Sequence, residues 1–308
     1  MKSRPTLKET GVAYLYLLPA LIILGVFSFY PIVRSLILAF GEVHWLDFSI
    51  SEWGFMNFRW LFEGAFDPES PTPRFVLALR NTFTFVIGVV PLSILISLGL
   101  AALLNTKIKG AGIFRSIYFL PFVTSTIAIA MVWSWIFNTH EGLLNYFFSL
   151  VGLAPVPWIE HPDYAMRSLI IMSIWSSLGF NIIVLLAGLQ NINKQLYLAA
   201  KVDGAPPWRR FLSITVPLLS PSLFFVTLIG MINAFRVFGE VFALFAQGQM
   251  ATPGPASSAL TVVYFIYERF FEFRQFGRAS AAAIVLFLII FAFTMIQFWV
   301  GKKLVHYG

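Results

Sequence analysis

The sequence predicts an all-α membrane protein with six spanning helices and both termini in the cytoplasm. Three observations predict it. Hydrophobic residues make up 58% of the 308 and charged residues 11%, where a soluble domain carries roughly 25% charged residues. Six apolar segments each reach the ~20 residues that a helix needs to cross a bilayer. The regions between them alternate between basic and acidic, as the ends of spans do on the two sides of a membrane. A mean hydropathy of +0.81 needs lipid as solvent.

The six segments run near 12–36, 82–104, 117–137, 168–189, 216–242 and 279–300. Only the first and fifth contain charge: Arg34 in one, Arg236 and Glu240 in the other. Each is expected to be helical, because lipid offers no partner to unpaired backbone groups. A membrane β-barrel would show ~10-residue stretches of alternating polarity, and none is present. The first apolar run is too long for a signal peptide and no small-residue cleavage site follows it, so it reads as a retained span. Pro19, Pro31, Pro91, Pro121, Pro217 and Pro221 lie in or at the ends of spans. They read as ordinary kinks, which membrane helices tolerate.

The loops set the orientation. Lys2, Arg4 and Lys8 precede the first span. Lys107, Lys109 and Arg115 follow the second, Lys194, Lys201, Arg209 and Arg210 follow the fourth, and Lys302 and Lys303 follow the sixth. These regions hold 12 basic residues and two acids, Glu9 and Asp203; the alternate loops hold 11 acids and no lysine. The positive-inside rule then places both termini in the cytoplasm. The net charge of +7 is accounted for by topology, so no nucleic-acid partner is expected. The stretch 42–80 becomes an external lid or docking loop. Arg34, near the outer end of the first span, reads as a snorkelling residue.

The cytoplasmic stretch after the fourth span is the most informative. Leu196, Ala199, Ala200 and Val202 give an apolar side to a helix too short to span. Asp203-Gly204 is turn chemistry, with glycine free to take positive φ. Asp203 can also cap the helix that follows, with Pro206 or Pro207 in its first turn. Such a helix could lie on lipid headgroups through Lys201, Arg209 and Arg210, or seat in a groove of a nucleotide-hydrolysing partner. Periodicity does not choose between the two.

Other chemistry is sparse. There is no cysteine, which excludes disulfides and thiolate metal sites. The four histidines, His44, His140, His161 and His306, have no paired metal spacing. No G-x-x-x-x-G-K-[ST] loop is present, so ATP hydrolysis is not expected of this chain. Arg236 and Glu240 are four residues apart and would share a helix face. They would form either a mutual ion pair or the border of a polar path.

The residues Leu189-Gln190, Leu196-Tyr197, Ala199-Ala200, Asp203-Gly204-Ala205, Phe211, Ile214-Thr215 and Pro217 are similar to the signature of the sugar permeases of binding-protein-dependent ABC importers. Asn57 to Leu61, Asn81-Thr82, Gly110, Phe114-Arg115, Leu120-Pro121, Gly142 to Asn145, Gly179 and Phe235 to Glu240 extend the likeness along nearly the whole chain. It looks most like the permeases of maltose and glycerol-3-phosphate type systems. Two positions depart from the pattern: Leu198 stands where the family usually has Glu, and only Gly254-Pro255 remains of a Gly-Gly-Pro.

The resemblance implies a type I importer fold in a bacterial or archaeal cytoplasmic (inner) membrane. It implies a tail over 1–11, a single transmembrane permease domain over 12–308 and a coupling loop over 190–215. The implied partners, besides the lipid bilayer, are a second permease subunit, two ATP-binding subunits and an extracytoplasmic solute-binding protein. ATP and Mg would be used by the ATPase partners, with no cofactor held by this chain. Tyr197, Leu198, Ala199, Ala200, Asp203, Gly204, Ala205 and Phe211 would meet the ATPase. Gly179, Phe180, Asn181, Gly230 and Asn233, with Arg236 and Glu240, would line the substrate path. The implied cargo is a sugar or oligosaccharide, with glycerol-3-phosphate or a polyol as the alternative. A secondary transporter or a membrane scaffold fits less well, since no acid but Glu240 lies in a span and a scaffold has no use for the Asp203-Gly204 loop.

Overall fold

A computed structural model of the chain describes residues 7–44, 46, 48–65, 72–105, 111–247 and 250–304. Lys2, Arg4, Lys107, Lys109, Gly110 and His306, most of the tail 1–11 and part of the loop 42–80 lie outside the described residues. In chain order the helices are α1 (Leu7–Leu24), α2 (Tyr30–Ala39), α3 (Met56–Leu61), α4 (Arg74–Leu104), α5 (Ala111–Val123), α6 (Thr126–Ile136), α7 (Leu143–Leu150) and α8 (Pro162–Asn191). They continue with α9 (Lys194–Val202), α10 (Pro207–Arg210), α11 (Val216–Leu218), α12 (Ser220–Phe235), α13 (Gly239–Leu244), α14 (Val262–Tyr267) and α15 (Phe276–Leu304).

Four stretches are long and apolar enough to cross a membrane: Gly11–Ala39, Arg74–Leu104, Pro162–Asn191 and Phe276–Lys303. They coincide with the first, second, fourth and sixth expected segments. The other two are interrupted. The third divides into α5 and α6, where Ser125 takes an extended conformation (φ −56°, ψ 132°) just after Pro121. The fifth is not the single helix that 216–242 suggests. It bends by 66° between Pro207–Leu218 and Ser220–Phe235, where Pro217 and Pro221 remove backbone donors on either side of Leu219. It breaks again after Phe235, with Phe238 at φ −145° and ψ −56°.

The chain divides into two compact units, Met1–Ser70 with Ile266–Val285, and Pro71–Phe265 with Leu286–Gly308. In the first unit, α1 and α2 join through a π turn at Gly25–Phe29 and leave most of their apolar side chains exposed, Leu38 and Ala39 excepted, as a helix with lipid as solvent can. An antiparallel hairpin pairs Gly41–Val43 with Ile50–Trp53. Asn57 pins α3 beneath it, donating to the carbonyls of Ala39 (3.1 Å) and Gly41 (2.8 Å).

The second unit is a bundle built on α8. Helices α4, α5 and α12 pack against it, and α4 also meets α12. Leu178, Ile182, Leu185 and Leu189 of α8 form the buried core with Ala101, Leu219 and Val226. At Gly179 the backbones of α5 and α8 come so close that an added Cβ would strike the Tyr118 carbonyl oxygen. Asn81 and Thr82, singled out in the sequence, hold the segment before α14. Asn81 donates to the Ser257 carbonyl (3.2 Å), and the Thr82 hydroxyl accepts from the Val262 N–H (3.0 Å).

Candidate functional site: a polar cavity and the loop after α8

Within the second unit, α4, α8, α12 and α13 enclose a cavity of about 580 Å³, inside the roughly 300–1,000 Å³ range of small-molecule sites. On α8, Ser173, Ser177 and Asn181 recur every fourth residue, so they fall on one helix face, with Ser176 and Phe180 beside them. On α12, Val226, Gly230 and Asn233 follow the same rule, and α4 adds Phe85, Val89 and Ser93. Phe122 stacks on Phe180 with centroids 5.5 Å apart and planes at 29°. The helix break places Arg236 and Glu240 on the cavity as well. Interrupted backbone at membrane depth is tolerated where it lines such a space.

The Ser93 and Ser177 hydroxyls back-bond to the carbonyls of Val90 and Ile174, but other polar groups are not used up by the fold. Asn181 is 4% exposed, and its amide forms no hydrogen bond among the described residues. The Ser173 hydroxyl is buried without a partner. A buried polar group left unpaired costs roughly 1–3 kcal/mol. Asn181 and Asn233 bring amides to a lining that also holds Phe85, Phe122 and Phe180.

Six of the seven path residues read from the sequence, Phe180, Asn181, Gly230, Asn233, Arg236 and Glu240, therefore meet at one cavity. The seventh, Gly179, does not line it. Two details change. Arg236 and Glu240 do not share a helix face: Arg236 caps the end of α12 and Glu240 lies in the first turn of α13. Nor do they form an ion pair with one another among the described residues. Sequence reasoning missed Ser93, Ser173, Ser176, Ser177 and Phe122. The four-residue recurrence of Ser173, Ser177 and Asn181 in an otherwise apolar span was the available signal.

The two glycines separate structure from lining. Gly179→Val forces a side chain into the Tyr118 backbone, and such overpacking costs about 1–3 kcal/mol. At Gly230 an added Cβ has its nearest neighbour, Val90, at 3.9 Å. Thermal unfolding of the purified protein should show a lowered midpoint for Gly179→Val and an unchanged one for Gly230→Ala.

The loop after α8 is ordered by its own hydrogen bonds. Asn193 caps α9 by accepting from the Gln195 N–H (2.9 Å). At its end the Ala205 N–H reaches the Ala200 carbonyl (2.9 Å) and the Gly204 N–H reaches that of Lys201 (3.2 Å). This double bond pattern is a Schellman stop, which wants a left-handed residue at its fifth place. Gly204 takes φ +72° there. Asp203 ends α9 instead of capping the next helix, where Pro206 stands at the N-cap without a side-chain bond.

Tyr197 and Ala200 are half-buried, Tyr197 packs against the core of the bundle, and its hydroxyl is 2.9 Å from that of Thr215. Leu198, Ala199, Asp203 and Gly204 are exposed, and Ala205 and Phe211 are half-buried. Val202 does not join the packed side of α9. It is 88% exposed, and with Leu198, Trp208 and Leu212 it leaves the loop studded with uncovered apolar side chains.

Residues 93–306 match the family described as binding-protein-dependent transport system inner membrane component. The lactose transport system permease protein LacF of Rhizobium radiobacter is 34% identical over 294 residues, covering 94% of each chain. The trehalose/maltose transport system permease protein MalF of Thermococcus litoralis is 32% identical, covering 98% of this chain and 97% of that one. The sn-glycerol-3-phosphate transport system permease protein UgpA of Pectobacterium atrosepticum is 30% identical, covering 99% of each. The crystal structure of a bacterial ABC transporter that imports the acidic polysaccharide alginate shares the fold, with a TM-score of 0.79 at 24% identity over 97% of this chain and 98% of that one. Long apolar helices, an interrupted helix bordering a polar cavity and the Schellman-stopped loop all sit within or beside the matched region. The chain belongs to the binding-protein-dependent inner-membrane transport components, the multi-pass permease subunits of ABC importers.

Proposed function

We propose that this chain is one of two permease subunits of an ATP-driven importer for an uncharged sugar or oligosaccharide. The observation that carries the reading is the cavity lined by Asn181 and Asn233 together with Phe85, Phe122 and Phe180. Amides and hydroxyls answer the hydroxyls of a sugar, and the rings pack on its C–H faces. Arg236 is the single cation among the described lining residues and Glu240 the single acid. That balance favours a neutral cargo over glycerol-3-phosphate, whose phosphate calls for bidentate or multiple basic contacts. The names of similar proteins, which include lactose, trehalose/maltose and arabinooligosaccharide systems, support the same class.

In this reading the chain crosses the bacterial or archaeal inner membrane six times, the two interrupted segments counting as one crossing each. Both termini lie in the cytoplasm and 12–308 acts as one permease domain. The 190–215 loop docks on one of two ATP-binding subunits, which use ATP and Mg. Its exposed Leu198, Val202, Trp208 and Leu212 are the apolar surface that such a dock covers. A solute-binding protein delivers the cargo from outside. A similar fold occurs in the alginate transporter whose crystal structure contains a saccharide-bound periplasmic protein.

The test is ATPase activity of the complete complex in bilayers, with its binding protein, over a panel of neutral sugars, acidic sugars and glycerol-3-phosphate. Stimulation by one or more neutral sugars is expected. Stimulation by glycerol-3-phosphate or an acidic sugar alone would overturn the neutral-sugar assignment.

A further inference from the structure

Residues 142–159 contain no charged side chain, yet they do not span. They fold as α7, a turn at Gly152 and an irregular run to Trp158. In α7 the usual polarity of a water-facing helix is inverted. Leu143, Tyr146, Phe147 and Leu150 stand at i, i+3, i+4 and i+7 and so form one stripe, and all four are exposed, Leu150 by 64%. Val151 and Leu153 prolong it.

The inward face carries the polar residue. Asn145 is buried and donates to the carbonyls of Thr139 (3.0 Å) and Val156 (2.9 Å). Its Oδ1 accepts from the Val156 N–H and the Trp158 Nε1–H, both at 3.1 Å. Phe148 packs on the Trp158 ring, with centroids 5.8 Å apart. These bonds fix the rotation of α7, so the outward stripe is held outward by design of the fold and not by chance of a loop.

We infer that α7 is an interfacial helix whose stripe lies among the headgroups and upper acyl chains of the bilayer, anchoring the joined ends of α6 and α8. Two observations choose lipid over a protein partner. The stripe offers the Tyr146 hydroxyl as its one hydrogen-bonding side-chain group, too little to register a protein surface. It also neighbours a second apolar stripe: α7 packs on α6, where Ile127, Met131 and Trp135 recur every fourth residue and are all exposed. Polar residues bracket the segment, His140-Glu141 before and Glu160-His161 after, and all four are exposed. The anchor matters because α8 carries Asn181 and α6 packs against α13, which carries Glu240. The inference rests on membrane location and is independent of which sugar is carried.

The cysteine-free sequence permits a direct test. Single cysteines replacing Tyr146, Phe147, Leu150 and, as a water-side control, Glu160 are nitroxide-labelled in the complete complex in phosphatidylcholine–phosphatidylglycerol bilayers. Collisions with oxygen, which partitions into lipid, are compared with those of a water-soluble nickel chelate. At Phe147 and Leu150 oxygen should dominate, at a depth of about 5–10 Å, while the nickel chelate dominates at Glu160. Dominance of the nickel chelate at the stripe would show that it faces water. Protection from both reagents would show that protein covers it. Either result overturns the inference. Tyr146 reads the same stripe if one labelled variant fails to assemble.

Discussion

Gly204→Asp should leave the permease in the membrane and cut cargo-stimulated ATP hydrolysis by tenfold or more. Gly204 holds φ +72° at the stop of α9, where a residue with a Cβ is strained by about 1–2 kcal/mol. The two bonds that close the stop, from Gly204 and Ala205 to Lys201 and Ala200, set the angle between α9 and α10. Leu198 and Val202 lie on one side of that turn and Trp208 on the other, so a changed angle misaligns the apolar surface as a whole. An added Cβ meets no atom within 4 Å, so the damage should be confined to backbone geometry and docking. The check is ATPase activity with and without loaded binding protein, alongside the amount of complex recovered. Gly204→Ala, which carries the same Cβ, should also impair coupling, and normal coupling in both would remove the loop from the mechanism.

Asn181→Ala should lower cargo-stimulated transport by about tenfold while the complex still assembles. The amide is buried at the cavity and has no protein partner among the described residues. Removing it takes nothing from the fold, whereas an occupant loses a hydrogen bond in a desolvated place, on the order of 1–3 kcal/mol. Asn233 is more open than Asn181, so Asn233→Ala should cost less. Uptake into vesicles, with the thermal midpoint as a control, separates the effects. A lowered midpoint at Asn181→Ala with unchanged uptake per folded complex would make this residue interhelical glue.

The parts legible in the sequence were those that solvent or backbone chemistry dictates. Lipid imposes its composition on 82–104, 168–189 and 279–300, and these appear as continuous helices, each longer than hydropathy shows. Asp203-Gly204 was legible because so few residues accept positive φ. The breaks were harder to see. Pro217 and Pro221 announce a kink but not a 66° bend, which depends on how α12 packs on α8: a Cβ at Gly188 would strike the Ser222 hydroxyl. The break at 236–238 lies inside an apolar run, and hydropathy passes through it. That break is why Arg236 and Glu240 reach one cavity from two helices. Gly179 was assigned to the path by its place in the family resemblance. One position along α8 turns it by about 100°, onto α5.

The most direct measurement uses a single cysteine in place of Asn233, on the cavity, in the cysteine-free chain. In the complete complex, a small hydrophilic thiol reagent should modify this cysteine. A transported sugar, delivered by its binding protein in the presence of ATP, should slow the modification several-fold, while a sugar that is not transported should leave the rate unchanged. Modification at the same rate with and without the transported sugar would contradict the placement of the path between α8, α12 and α13.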